Sequence, residues 1–192
     1  AALLRADHDI DRWHGDAVAL EQNSRDFEGR VKVMSRNSIA LYELLAEHPA
    51  IGRVFHSIPD RSGIYADVLK EDGGHGCLLS FVLKDTGRAP AVYDAMEFCK
   101  GPSLGTNFTL VCPYTLLAHY DELEWAESCG VDRTLIRVSC GLEPAEVIAE
   151  RMERNMATLA VAISPATHPA TGESISVVPA GTMVIGMGQH GE

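Results

Sequence analysis

The stretch GVDRTLIRVSCGLEPAEVIAERMER, residues 130–154, reads as strand, turn and helix. Leu135–Cys140 is an apolar run with one arginine, Arg137, set inside it. A run of that composition suits a strand covered on its faces. The period then changes at Pro144, a residue favoured near a helix start. Through Met156, Val147, Ile148 and Met152 fall on one stripe and Glu146, Glu150 and Glu153 on the other, which predicts an amphipathic helix over 144–156.

Working outward, Cys77–Lys84 is a nearly continuous apolar run and predicts a strand buried on both faces. Ile51–His56 and Phe108–Cys112 are shorter strand candidates, and Ala89–Cys99 has helical spacing. Pro59-Asp60 restarts a helix toward Lys70, Asp72-Gly73-Gly74 turns the chain, and Thr115–Ser128 holds short helical turns. The first 48 residues are helical by the spacing of Val31, Met34, Ile39, Leu41, Leu44 and Leu45, and Pro49 ends the run. Asn23-Ser24 predicts a break and a fresh N-cap, hence two helices. The alternation of strands and helices gives an α/β class, α+β in its layering, around one sheet. Three segments follow: a helical part over 1–34, an α/β domain over 35–156 and an apolar tail over 157–192. In that tail Glu173 and Glu192 are the only charged residues of the Asp, Glu, Lys and Arg set. Ser174–Val178 and Thr182–Gly186 are β-prone, so a β-hairpin arm is expected there.

The 192 residues fit one domain or one domain with an appendage. Sixteen Lys and Arg against twenty-seven Asp and Glu leave a net charge of −11, which repels phosphate backbones and excludes non-specific nucleic-acid binding. Cys77, Cys99, Cys112, Cys129 and Cys140 are odd in number and form no C-x-x-C pair, which suits a reducing, cytoplasmic setting with most thiols as small core residues. Met156–Ile163 and Val177–Met187 fall short of the roughly 20 apolar residues that span a bilayer, so no membrane partner is expected. No apolar signal segment follows Arg5.

Three features invite chemistry. Gly101-Pro102-Ser103-Leu104-Gly105 matches G-x-S-x-G, but a helix precedes and a strand follows, the reverse of a hydrolase elbow. A turning loop is the better reading. Asp7, His8, Asp9, Asp11, His14 and Asp16 crowd one segment, yet their spacing fits no metal motif, and an acidic first helical turn explains them. Arg137 is the sharpest feature. A guanidinium in an apolar strand needs an anion, either an internal carboxylate such as Glu143 or the carboxylate of a ligand. Position alone leaves both open.

The runs GPSLGTNFTLVCPYTLLAH (101–119) and GVDRTLIRVSCGLEPAEVIAERMER (130–154) resemble the C-terminal domain of the Cys/Met-metabolism pyridoxal-phosphate (PLP) enzymes, above all the fungal cystathionine γ-synthase branch. The stretch ALEQNSRDFEGRVKVMSRNSIALYELLAEHPAIGRVFH (19–56) resembles that family's interdomain helix and the opening of its small domain. The likeness covers about residues 17–156 and leaves out the tail. It implies the small C-terminal domain of fold-type I PLP-dependent transferases, a mostly antiparallel sheet with helices on one face. It also implies that Ser103 and Leu104 of the S-L-G loop, with Arg137 of the L-I-R-x-S strand, hold the α-carboxylate of a substrate amino acid. Thr115 and His119 fall in the following loop and take no chemistry.

Family members also carry a large domain with the Schiff-base lysine, and none of Lys32, Lys70, Lys84 and Lys100 sits in an S-x-T-K-like context. The expectation is therefore no cofactor in this chain alone, and PLP when it is combined with a large domain. Two functions follow. One is the carboxylate-binding small domain of a γ-synthase-like enzyme acting on O-acylated homoserine. The other is a stand-alone, PLP-independent descendant, a binding module or small catalyst that stabilises a carboxylate or enolate. Either takes a small carboxylate-bearing molecule, and the apolar surface left by a missing large domain predicts a homo-oligomer.

Overall fold

Two central strands carry the architecture of the computed structural model, which describes residues 13–59, 63–161, 166–167 and 174–175. They are β2 (Leu78–Leu83) and β5 (Ile136–Ser139), antiparallel with Leu79 opposite Val138 and Ser80 opposite Arg137. On their outer sides lie β1 (Ile51–Phe55), antiparallel to β2, and β4 (Leu110–Pro113), antiparallel to β5. β3 (Cys99–Lys100) closes the far edge, parallel to β4, and the order is β1-β2-β5-β4-β3. The sheet is mostly antiparallel, as expected.

Alternation divides each strand between two faces. Leu79, Phe81, Leu83, Val111, Ile136 and Val138 point to one face and are all buried. That face is covered by α2 (Phe27–Glu47), α4 (Ala89–Ala95) and α7 (Ala145–Val161), through Leu41 and Leu45, Val92, and Ile148, Met152 and Met156. The helices therefore lie on one face of the sheet. The remaining helices are α1 (His14–Ser24), α3 (Ile64–Val68), α5 (Tyr114–Ala118) and α6 (Leu123–Ser128).

The break expected near Asn23-Ser24 separates α1 from α2. The N-cap is Asp26, however, and Ser24 Oγ donates back to Glu21 O at 2.9 Å instead of capping the next helix. α1 buries nothing, and burial along α2 begins at Met34. Two boundaries move for physical reasons. The helix expected over 89–99 stops at Ala95, because Met96 and Phe98 are buried while Glu97 and Cys99 are exposed, the period of an extended chain. α7 continues past Met156 to Val161, since no glycine or proline interrupts 157–161.

In the tail, β6 (Ala166–Thr167) pairs antiparallel with β7 (Ser174–Ile175), apart from the main sheet. The strand expected at Thr182–Gly186 lies outside the described residues. All five cysteines are free, but only Cys112 and Cys140 are buried, with Cys77 half-buried and Cys99 and Cys129 exposed. Cys99 sits on an edge strand and Cys129 at the C-cap of α6, so the expectation that most are core residues needs correcting.

Candidate functional site

The second face of the sheet has a different chemistry. Ser80, Arg137 and Cys112 form one row across β2, β5 and β4, and Leu78, Ser139 and Leu110 form the next. The 101–109 segment lies over these rows. At its start Gly101 N–H donates to Val111 O at 3.1 Å. Arg137 Nη2 donates to Pro102 O at 2.5 Å, and Gly105 N–H donates to Ser139 Oγ at 3.1 Å. Gly105 has φ +66°, a left-handed conformation that glycine adopts without strain.

The far end of the segment is held by a polar junction. Thr109 N–H donates to Glu143 Oε1 at 2.7 Å and Thr109 Oγ1 donates to Glu143 Oε2 at 3.0 Å. Gly141 N–H donates to Thr109 Oγ1 at 3.0 Å, and Leu142 N–H to Asn107 O at 2.9 Å. Asn37 Nδ2, from α2, donates to Gly141 O at 2.9 Å and to Glu143 O at 2.8 Å. Gly141 is obligatory here, because a Cβ would overlap the Phe108 backbone.

This geometry decides one alternative. Glu143 is spent on Thr109, and among the described residues no carboxylate pairs with Arg137. The internal salt bridge to Glu143 is not formed. Arg137 is half-buried, with its guanidinium carbon 5.1 Å from the Tyr114 ring centroid. It lies close enough to Cys112 to oppose the upward push that burial gives that thiol. Ser103 and Leu104 are exposed on the loop that Arg137 grips. Sequence reasoning had no signal for Thr109 or Ser139, whose roles are contacts to backbone N–H groups far along the chain.

The other candidates are placed elsewhere. Asp7, His8, Asp9 and Asp11 lie outside the described residues, while His14 and Asp16 begin α1. Among the described residues no group of three His, Cys, Asp or Glu could hold a metal ion. Thr115 Oγ1 is buried and donates to Asp132 O at 2.8 Å, and His119 Nδ1 lies 2.7 Å from Glu122 Oε1. Lys32 pairs with Asp72, Lys84 Nζ donates to Pro49 O and Lys100 Nζ donates to Asp94 O, so these three amines are engaged away from the loop. Lys70 is exposed at the turn before Gly73. The described lysines do not fit a covalent PLP anchor beside Arg137.

The five-stranded, mostly antiparallel sheet with helices on one face matches part of the fold of solved fold-type I PLP-dependent enzymes. A cystathionine γ-lyase from Lactobacillus plantarum superposes with a TM-score of 0.65 at 22% identity, over 73% of this chain and 38% of that one. The chain belongs to the Cys/Met metabolism PLP-dependent enzyme family, whose model matches residues 16–157. It is 49% identical over 132 residues to the cystathionine gamma-synthase of Neurospora crassa, covering 68% of this chain and 21% of that protein. With the cystathionine gamma-synthase of Saccharomyces cerevisiae it shares 41% identity over 151 residues, 74% of this chain and 23% of that one. The chain thus spans under a quarter of the length of either protein. A Dak1 domain model matches residues 137–192, less than a third of the chain, and takes in the tail that the first family leaves out. Among the described residues no helix is long and apolar enough to cross a membrane.

Proposed function

We propose that this chain supplies the substrate-carboxylate side of a cystathionine γ-synthase-like enzyme, with Arg137, Ser103 and Leu104 holding the α-carboxylate of an O-acylated homoserine. One observation carries the reading. Arg137 has no carboxylate partner among the described residues, yet one of its nitrogens grips the loop that bears Ser103. A guanidinium presents five donors in a fixed fork, so a planar carboxylate can still be bound by the others. The Ser103 hydroxyl, with no hydrogen-bond partner among the described residues, can add a donor from the loop. PLP, when bound, supplies the electron sink for γ-substitution. This chain's residues bind and orient the substrate, and the covalent anchor belongs to a large domain.

The division into 1–34, 35–156 and 157–192, a cytoplasmic location and homo-oligomeric assembly belong to the same reading. Leu104, Phe108, Leu117, Tyr120 and Trp125 are exposed apolar side chains that assembly would cover. Nothing observed favours the stand-alone alternative.

The test is a titration of the chain with O-acetyl-L-homoserine, followed by NMR at Arg137 Nε and the amides of Gly101, Ser103 and Gly105. Arg137→Lys replaces a fork by a point charge, so binding weakens about tenfold or more with little change in melting temperature. A melting point that falls several degrees with no change in binding would make Arg137 a structural residue.

A further inference from the structure

We infer that Glu143 is a positioning residue, the clamp that sets Ser103 and Leu104 at the right height over Arg137. The inference rests on the carboxylate reading above.

Contacts along the 101–109 segment hold it in place: Gly101 to Val111, Pro102 to Arg137, Gly105 to Ser139, Asn107 to Leu142 through one backbone bond, and Thr109 to Glu143 and Gly141. They are not equivalent. Gly101 to Val111 continues the β3–β4 pairing. Pro102 offers one carbonyl to a guanidinium whose other donors the ligand needs. Gly105 to Ser139 is a single bond between neutral groups. Only the Thr109 contact joins a charged group by two bonds to one residue, and hydrogen bonds to ionised acceptors are the stronger kind.

The junction also leaves Thr109 no freedom. Its hydroxyl gives its proton to Glu143 and accepts one from Gly141, so both roles are filled. Thr109 is 1% exposed, which shields these bonds from competing water. Asn37 spends both amide protons on Gly141 O and Glu143 O, tying the junction to α2 and through it to the apolar core. The end of the loop is therefore referenced to the core.

The same arrangement keeps the acid off the arginine. Glu143 lies six residues after Arg137 and is the partner that the sequence offers to it. With its two oxygens directed at Thr109, Arg137 stays available to an incoming carboxylate. Glu143 thus acts in two ways, by holding the loop and by not neutralising Arg137.

The experiment compares wild type, Glu143→Gln, Thr109→Val and Thr109→Ser in the full chain. Hydrogen exchange at the Gly105 and Thr109 amides and the affinity for O-acetyl-L-homoserine are measured together. Glu143→Gln puts an amide donor where Thr109 needs an acceptor, and Thr109→Val leaves Gly141 N–H and one Glu143 oxygen unpaired. Each should speed exchange at Gly105 and weaken binding by about tenfold, the scale of one buried hydrogen bond lost. Thr109→Ser keeps the hydroxyl and restores both, which a loss through misfolding would not do. Unchanged Gly105 exchange in Glu143→Gln overturns the inference, whatever the ligand does. Faster exchange with undiminished binding overturns the positioning role. If wild type fails to bind the probe while Glu143→Gln still loosens the loop, the carboxylate reading falls and the clamp stands.

Discussion

The two faces of the sheet are made by alternate residues of the same strands, and the second face mixes polar side chains with the apolar Leu78, Val82 and Leu110. Leu79, Phe81, Val111, Ile136 and Val138 on one face are 0–2% exposed and belong to the apolar core cluster. On the other face, beside Ser80 and Cys112, Arg137 and Ser139 hold the 101–109 loop by hydrogen bonds. A slip of one residue in β5 would exchange the two sets, so the core face also fixes the register that aims Arg137. Along β5 the core side chains alternate with those of the proposed carboxylate site.

The largest effect expected from breaking this division is on the core face. Phe81 is 0% exposed at the centre of β2. Phe81→Ala should destabilise by about 3–5 kcal/mol through lost burial and the cavity left behind. For a chain of this size that lowers the melting temperature by about 10 °C, followed by circular dichroism. A fall of only a degree or two would mean that the core face does not hold the sheet together.

A smaller effect should come from the seam between α2 and the segment leading from β1 to β2. Tyr42, His56, His75 and Tyr65 lie there in series, the two Tyr–His pairs stacked and the His pair tilted, with ring centroids 5.2, 5.7 and 5.2 Å apart. His56 Nδ1 accepts the Ile58 N–H at 3.2 Å, so the bond exists only while that nitrogen is unprotonated. Burial, and then the neighbouring His75, hold the His56 pKa below its ordinary value of 6.5. The unfolded chain therefore takes up the proton first as pH falls. The contribution of His56 is complete above pH 6.5 and is lost progressively as pH drops below it toward the lowered value. Melting between about pH 7.5 and about pH 5.5 should fall in wild type and fall less in His56→Gln. Equal slopes would remove His56 from the account.

Much of this was legible from the sequence, for identifiable reasons. β2 and β5 are apolar runs and α7 has a helical stripe, so periodicity found them. Arg137 stood out because a cation in an apolar strand has few explanations. What stayed hidden is non-local. Glu143 was offered as a partner to Arg137 and instead binds Thr109, thirty-four residues away, through a backbone N–H that no composition signals. β3 is two residues long and is defined only by its pairing with β4. The aromatic series joins positions 42, 56, 65 and 75, which no helical or strand period brings together.

The thiols sharpen the comparison without a mutation. Cys140 is buried against the core and its pKa is pushed up to about 12, chiefly by burial. Cys112 is buried on the Arg137 face, and burial raises its thiol too, though the arginine opposes the shift. Cys99 and Cys129 are exposed. A thiolate-selective alkylating agent near neutral pH should modify Cys99 and Cys129 first, and Cys112 and Cys140 only on unfolding, as read by peptide mass mapping. Early labelling of Cys112 would show that the Arg137 face opens to solvent, and early labelling of Cys140 that the core does.

The smallest effect on stability is expected at Ser103, an exposed residue of the proposed site. Ser103 is exposed and makes no hydrogen bond among the described residues, so Ser103→Ala removes no native contact. Its change in stability should stay within about 0.5 kcal/mol. Binding is another matter, because the hydroxyl is a donor that a bound carboxylate can accept from, and a hydrogen bond to a charged acceptor contributes about 1.5 kcal/mol or more. Ser103→Ala should therefore weaken O-acetyl-L-homoserine binding about tenfold at unchanged melting temperature, no more than Arg137→Lys does. A loss larger than that of Arg137→Lys would place the main carboxylate contact on the loop. No loss at all would leave Ser103 outside the site, with Arg137 alone as the anion's partner on this face.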